Sequence, residues 1–340
     1  TEVMSLNRRL LVKILGPKMR YQRYRILVSF FFLVFCSYCF TPSPIFAQNM
    51  ASEIIDNETC LACHGDSSEK YFIDPVKFEH SIHGDHLCTS CHSDITEAPH
   101  DTPLKPVSCA NCHTIEAEVY LSSDHGISLK KGNTEAATCR NCHGNAHALL
   151  NSRDPNSPVY RMNITETCGQ CHFDNKEMAK FKLHQEEPVV TYQNSVHGLA
   201  LKDKDAMLSA VCTDCHGSHN LHRSTNPESK LYWQNIPVTC GKCHENVDAI
   251  YSRSIHGQAV KMGKRDAPVC TDCHGEHTIE KIDKATSKVF PSKIPETCAQ
   301  CHASERIISK YNLPSYVVDT NMDSYHGLAV KIGSVVAADR

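Results

Sequence analysis

The chain has 340 residues, of which 21% are charged and 7% aromatic, with 20 cysteines and 22 histidines. Its mean hydropathy of −0.37 and its few aromatic side chains argue against an ordinary large apolar core. Its formal net charge is −3, so the basic surplus that nucleic-acid-binding proteins need is missing and no nucleic-acid partner is expected.

Residues 1–47 have the layout of an N-terminal extension followed by a secretory signal peptide. Three arginines precede an apolar run at residues 26–40, and Ala47 is a small residue suited to cleavage. The run is shorter than the roughly 20 residues of a membrane span, although a retained anchor stays the alternative. Removal leaves 28 basic and 37 acidic residues, a net charge of −9 that fits a positively charged redox partner. We therefore expect a periplasmic or extracellular protein.

Cys-x-x-Cys-His occurs nine times after this extension, and it is the attachment motif of c-type haem. The two cysteines form thioethers with the haem, and the histidine lies beneath the iron as its proximal axial ligand. A zinc site or a disulfide framework gives no reason for a histidine after every second cysteine. The predicted thioether residues are Cys60, Cys63, Cys88, Cys91, Cys109, Cys112, Cys139, Cys142, Cys168, Cys171, Cys212, Cys215, Cys240, Cys243, Cys270, Cys273, Cys298 and Cys301. The predicted proximal ligands are His64, His92, His113, His143, His172, His216, His244, His274 and His302.

The motifs divide the rest of the chain into five segments. Residues 48–116 hold three motifs, and three copies of a two-motif repeat follow at residues 117–188, 189–247 and 248–313. Each copy opens with a Ser-x-His-Gly box, continues with a first motif and a further histidine, and closes with a second motif. Residues 314–340 have the pattern of a fourth opening, so we expect a sequence truncated before a tenth motif.

Histidine is predicted as the second, distal iron ligand, because histidines recur at matched positions and methionines do not. Two imidazoles favour a low reduction potential and leave no open position for a substrate. Which distal histidine meets which haem stays open. Tyr120, Tyr192 and Tyr251, each five residues before a box histidine, are expected to pack on a porphyrin edge. The candidate distal ligands are His83, His100, His125, His147, His197, His219, His256, His277 and His326.

The predicted fold is mainly short α-helices and irregular coil wrapped around stacked, covalently bound haems, with little or no β-sheet. Without residues 1–47, about 33 residues remain per haem, so porphyrin must supply much of the core. Short helices are expected within residues 175–184, 245–254 and 304–311.

From Cys60 onward the chain resembles multihaem c-type cytochromes with doubled Cys-x-x-Cys-His motifs, which belong to the class III, or tetrahaem, type. The resemblance implies nine covalent haem c groups and maturation by a haem lyase. It also implies electron transfer in anaerobic respiration, between a quinol dehydrogenase of the membrane or another cytochrome and a periplasmic or extracellular acceptor. Some similar chains continue into a membrane domain, which leaves room for one beyond residue 340.

The resemblance indicates an electron-transfer protein and not an enzyme. The Cys-x-x-Cys-Lys motif of the pentahaem nitrite reductases does not occur in the sequence. The alternative is a reductase of nitrogen or sulfur oxyanions with one five-coordinate haem. Such a haem is expected in the first segment, where three haems meet two local distal candidates.

Overall fold

The computed structural model describes residues 54–101, 103–173, 178–179, 187–203 and 207–334. Across these ranges the chain forms short helices and irregular coil with no β-strand, so the predicted fold class is confirmed. The predicted signal segment within residues 1–47 and most of residues 175–184 lie outside them. The chain divides into two units, Thr1–Ile54 and Ile55–Arg340, and all described helices belong to the second. None of these helices is long and apolar enough to cross a membrane.

Eight of the nine motifs lie wholly or partly on an α-helix, and the third lies on a single 3₁₀ turn at Cys109–Asn111. Residues three apart share one side of a helical turn, so both cysteines of a motif face the same way. The α-helices that carry motifs are Asn57–His64, Cys88–Cys91, Cys139–His143, Ile164–His172, Cys212–His216, Ile236–Gly241, Cys270–His274 and Ile294–His302.

The Ser-x-His-Gly boxes of the repeats each begin a helix. The serine Oγ accepts the backbone N–H of the glycine three residues later at 3.1–3.2 Å, which makes the serine the N-cap. Glycine is required because a Cβ on Gly198 would overlap the carbonyl oxygen of Tyr192. The cap and the glycine together fix the histidine in the first turn. The box helices are Asp124–Lys130, Val196–Lys202, Ile255–Lys261 and Tyr325–Lys331.

A further helix precedes each box, and in the three complete copies its tyrosine ties it to the next motif. The Tyr192 hydroxyl donates to the carbonyl oxygen of Ala210 at 2.6 Å, and Tyr120 and Tyr251 make the same bond at 2.7 Å. The sequence indicated only a packing role for these rings, so this anchoring bond is new. The preceding helices are Thr114–Ser122, Pro188–Gln193, Glu245–Tyr251 and Val317–Met322.

The remaining elements are two short α-helices and three 3₁₀ turns. The helices expected within residues 245–254 and 304–311 are confirmed as Glu245–Tyr251 and Glu305–Tyr311. The other elements are the α-helix Pro75–Glu79 and the 3₁₀ turns Ala146–Ala148, Arg161–Asn163 and Pro291–Lys293.

The buried apolar side chains form small clusters between consecutive copies. One cluster packs Ile164 and Leu201 with Val211, beside the cysteines Cys168 and Cys212. A second, equivalent cluster joins the next two copies; its buried members are Trp233, Ile236, Val260 and Val269. Both clusters cross the predicted segment boundaries, so neighbouring copies share their core.

Candidate functional site

The first motif of each repeat is held by its own capping bond. In the motif at Cys212, the Val211 N–H donates to the Asp214 carboxylate at 2.8 Å, and the motif at Cys270 has the same bond at 2.7 Å. In the motif at Cys139, Asn141 takes the same role. The following glycines have φ of 84–90°, a backbone that favours glycine, and they turn the chain toward the second histidine. These glycines are Gly144, Gly217 and Gly275.

The structure brings sixteen predicted axial histidines together as eight pairs, each with one proximal and one distal candidate. The ring centres of a pair lie 5.8–6.2 Å apart. The pairs are His64–His100, His83–His113, His92–His147, His125–His172, His143–His219, His197–His244, His216–His277 and His256–His302.

The separation of the rings fits one iron between each pair. A metal–imidazole bond of about 2 Å and a further ~1 Å to the ring centre put two opposed ligands about 6 Å apart. Other ring contacts among the described residues lie at 5.7–6.4 Å, so the pairing of one proximal with one distal candidate, and not the distance alone, distinguishes the eight pairs. The residues present therefore fit a haem iron with two imidazole ligands.

One rule describes seven of the eight pairs, with the last two motifs of the first segment counted as its first and second motifs. A histidine of a second motif faces the box histidine of its own copy, as His244 faces His197. We call the histidine between the two motifs of a copy its extra histidine. A histidine of a first motif faces the extra histidine of the next copy, as His143 faces His219. Three pairs, His92–His147, His143–His219 and His216–His277, therefore connect different segments, which the spacing of the sequence left open. The pair His64–His100 lies within the first segment.

The first segment does not contain the unpaired proximal histidine that the sequence led us to expect there. All three of its proximal histidines have a partner, because His147 of the following copy lies opposite His92. His274 and His326 are the predicted ligands that face no second histidine among the described residues.

At several of the paired histidines, burial favours the neutral imidazole that a metal ligand requires. The pKa of His216 is lowered to about 4, chiefly by burial and further by His277. The same cause lowers the pKa of other paired histidines, since burial disfavours a charged ring. These histidines include His125, His143, His147, His172, His197, His256 and His277.

The cysteines of consecutive motifs lie close enough to form a row. The thiol of Cys168 hydrogen-bonds to that of Cys212, and three further pairs are arranged in the same way. Motifs of one copy are also neighbours, since the charge of Cys171 raises the pKa of Cys142 after the larger effect of burial. The other thiol pairs are Cys60–Cys88, Cys109–Cys139 and Cys240–Cys270.

Backbone bonds reinforce the contacts between copies, and sequence reasoning missed them. The N–H after a box serine donates to a carbonyl two residues past the extra histidine of the next copy. Val196 bonds to Ile279 at 2.7 Å in this way. The same bond joins Ile82 to Leu149 at 2.8 Å and Asp124 to Leu221 at 2.9 Å. In the sequence, the signal for these bonds is limited to the matched spacing of the box serines and the extra histidines.

Two ion pairs strengthen one of these boundaries. Arg161 of the copy at residues 117–188 donates to Asp214 of the next copy at 2.7 Å. Burial raises the pKa of Asp214, but the Arg161 guanidinium, the Val211 N–H and the charge of Lys230 together outweigh this effect, and the net pKa is lowered. In the opposite direction, Arg223 donates to Asp124 at 2.9 Å. Each of these two copies therefore supplies one arginine and one aspartate to their shared boundary.

Family comparisons agree with this geometry. The model of the class III cytochrome c family matches residues 66–160, and that of the doubled CXXCH motif matches residues 258–307. With nine attachment motifs and eight facing histidine pairs, the chain is a multihaem c-type cytochrome.

One curated relative is the multiheme cytochrome MtrA of Shewanella baltica (strain OS185). It is 28% identical over 180 residues, which are 50% of this chain and 48% of the relative. The chain thus spans about half the length of the relative it matches. No solved structure matches the chain.

Proposed function

We propose that this chain is an electron-transfer cytochrome that carries electrons along a row of nine haem c groups. When bound, the haems supply iron centres that accept and release single electrons. The eight histidine pairs at 5.8–6.2 Å are the observation that carries the proposal.

The proposed ligand sets follow the pairs. Each iron is held by the histidine of its own motif and by the facing histidine, while the two cysteines of the motif fix the porphyrin. Two imidazoles fill both axial positions, so these irons favour electron transfer over substrate binding. Since the second ligand of a first motif comes from the next copy, the protein folds as one array.

The row of thiols supports transfer between neighbouring sites. The Cys168–Cys212 contact brings the fifth and sixth haem sites together. The Cys142–Cys171 proximity does the same for the fourth and fifth sites, within one copy. Alternating contacts of these two kinds give a continuous path through the repeats.

The partners and location follow from the resemblance and the charge. We propose export through the signal within residues 1–47 and maturation by a haem lyase. Other cytochromes or a quinol dehydrogenase are the proposed donors, and a periplasmic or extracellular molecule is the acceptor. The net charge of −9 after residue 47 favours partners with a basic docking face.

Single-molecule conductance of the holoprotein tests the proposed path. The double variant Cys168→Ala/Cys171→Ala removes the haem site in the middle of the row. The control, Cys60→Ala/Cys63→Ala, removes a site at its beginning. One electrode contact is attached between these two haem sites and the other near Glu305. Of the two sites, only the one at Cys168 then lies between the contacts, so the middle variant should conduct far less than the control. Equal conductance of the two variants would contradict a path through the row.

A reductase is the second candidate, and His274 is the observation that favours it. No second histidine faces His274 within the described part of the chain, so its iron could keep an open position for a small oxyanion. Ferric electron paramagnetic resonance separates the candidates. A high-spin signal that disappears in Cys270→Ala/Cys273→Ala, which removes this haem site, would favour the reductase, and low-spin signals alone would favour the carrier.

A further inference from the structure

The eight histidine pairs fall into two groups by the angle between their ring planes. Four pairs are nearly parallel, at 16–18°, and four are tilted, at 40–49°. No pair lies between these ranges. The nearly parallel pairs are His64–His100, His92–His147, His143–His219 and His216–His277. The tilted pairs are His83–His113, His125–His172, His197–His244 and His256–His302.

The element that supplies the distal histidine separates the two groups. Every tilted pair takes it from a Ser-x-His-Gly box. In the repeats the serine cap and the close approach of the glycine fix this ring on a helix. Every nearly parallel pair takes it from a histidine that follows a motif outside the boxes, which is His100 after the motif at Cys88 and, in the repeats, the extra histidine after the first motif. In the repeats this histidine follows a glycine with φ of 84–90° and lies in a loop or a 3₁₀ turn.

The two groups alternate along the chain. From the second motif to the seventh, the pairs run nearly parallel, tilted, nearly parallel, tilted, nearly parallel, tilted. The thiol contacts Cys109–Cys139 and Cys168–Cys212 therefore each join one tilted site to one nearly parallel site.

We propose that the chain builds two electronic classes of haem iron in alternation, one set by the box histidines and one by the extra histidines. The inference rests on the proposed axial ligation. Protein contacts orient a ligating ring and thereby tune the metal. Two iron d orbitals can interact with the imidazole rings. Parallel ring planes interact with the same one of them and increase the energy difference between the two, whereas tilted planes leave the two orbitals closer in energy. Neighbouring centres within the repeats are then unlike, although all have the same two ligands.

Electron paramagnetic resonance of the oxidised holoprotein tests this inference. The wild type should show two groups of low-spin ferric signals, with the tilted pairs at the higher maximal g value. His197→Met should remove about a quarter of the high-g group, and His219→Met about a quarter of the other, since each affects one of four centres. Thioether ligation also gives each variant a new signal of its own.

The outcomes distinguish this inference from the proposed function. A single class of low-spin signal in the wild type, or loss from the same group in both variants, would overturn the alternation and leave electron transfer intact. High-spin signals throughout would contradict the proposed ligation itself. If either variant fails to incorporate haem, the wild-type spectrum still decides, because two groups are required there.

Discussion

The box at His83 and the last two motifs of the first segment, at Cys88 and Cys109, form an N-terminal copy of the repeat. This N-terminal copy and the repeat at residues 189–247 place their iron ligands by the same rule on different scaffolds. In the repeat, the box histidine His197 faces a histidine 47 residues later, and in the N-terminal copy the distance from His83 to His113 is 30 residues. The N-terminal box has no long helix after it, and Phe78 stands where the repeat has Tyr192. The two regions have the same kind of ligand pair although their connecting segments differ in length and structure. The separation of the paired rings is therefore more constant between the regions than the helices that carry them.

Loss of haem should have the largest effect and should erase the difference between the two regions. Among the described residues only twelve hydrophobic side chains are buried, so little core remains without porphyrin. We expect haem-free protein to lack a cooperative thermal transition in circular dichroism, because folding and ligand binding are coupled at such sites. The holoprotein is the control. A native-like cooperative melt of the haem-free chain would refute this view.

Replacement of a distal ligand at the boundary between the N-terminal copy and the repeat at residues 117–188 should act on the N-terminal copy. His147→Met should raise the reduction potential of the haem attached at Cys88 and Cys91, by part of the ~0.8 V range that axial ligands span. The haem attached beside His147 in the sequence, at Cys139, should keep its potential. Spectroelectrochemical titration measures both.

A matched control exists for this experiment. His80 is exposed and faces no second histidine among the described residues, and its ring nitrogen lies 2.7 Å from the carbonyl oxygen of Val76. His80→Met should leave every potential unchanged. If His147→Met instead shifts the haem at Cys139, the rule that pairs neighbouring copies fails.

The glycine of the box should be equally necessary in both regions. A Cβ on Gly198 would overlap the carbonyl oxygen of Tyr192, and a Cβ on Gly84 would approach those of Phe78 and Glu79. Each Gly→Ala variant should lower the free energy of unfolding by about 1–3 kcal/mol in urea titrations of the holoprotein.

Gly169, a helical glycine with room for a Cβ, is the control for these two variants. A Cβ on Gly169 would meet Val189 at 3.6 Å, an ordinary contact. Gly169→Ala should therefore be neutral or stabilise by up to ~1 kcal/mol. Equal destabilisation by all three substitutions would show that the box glycine has no special role.

The tyrosine anchor should have the smallest effect and should be specific to the repeats. Burial raises the pKa of Tyr192 to about 12, so its hydroxyl stays a donor to Ala210. Tyr192→Phe should lower the free energy of unfolding by about 1 kcal/mol, the usual contribution of one such bond. Tyr316, which is exposed, is the control, and Tyr316→Phe should be neutral. A change of the same size at both positions would argue against the anchor.

The sequence predicted the fold class and the haem motifs because their signals are local. Cys-x-x-Cys-His is complete within five residues, and the box serine and glycine act within one helical turn. The sequence did not show which histidines face each other, since the partner of His92 lies 55 residues away in another copy. It also missed the Tyr192 anchor and the Val196–Ile279 backbone bond, which depend on how copies pack and leave no motif of their own.

An experimental structure of the oxidised holoprotein, determined by electron cryo-microscopy, tests the central claim most directly. We predict a haem iron between His92 and His147, with the porphyrin attached at Cys88 and Cys91, and the equivalent arrangement at the other seven pairs. An iron at Cys88 and Cys91 whose second ligand comes from its own copy would contradict the account.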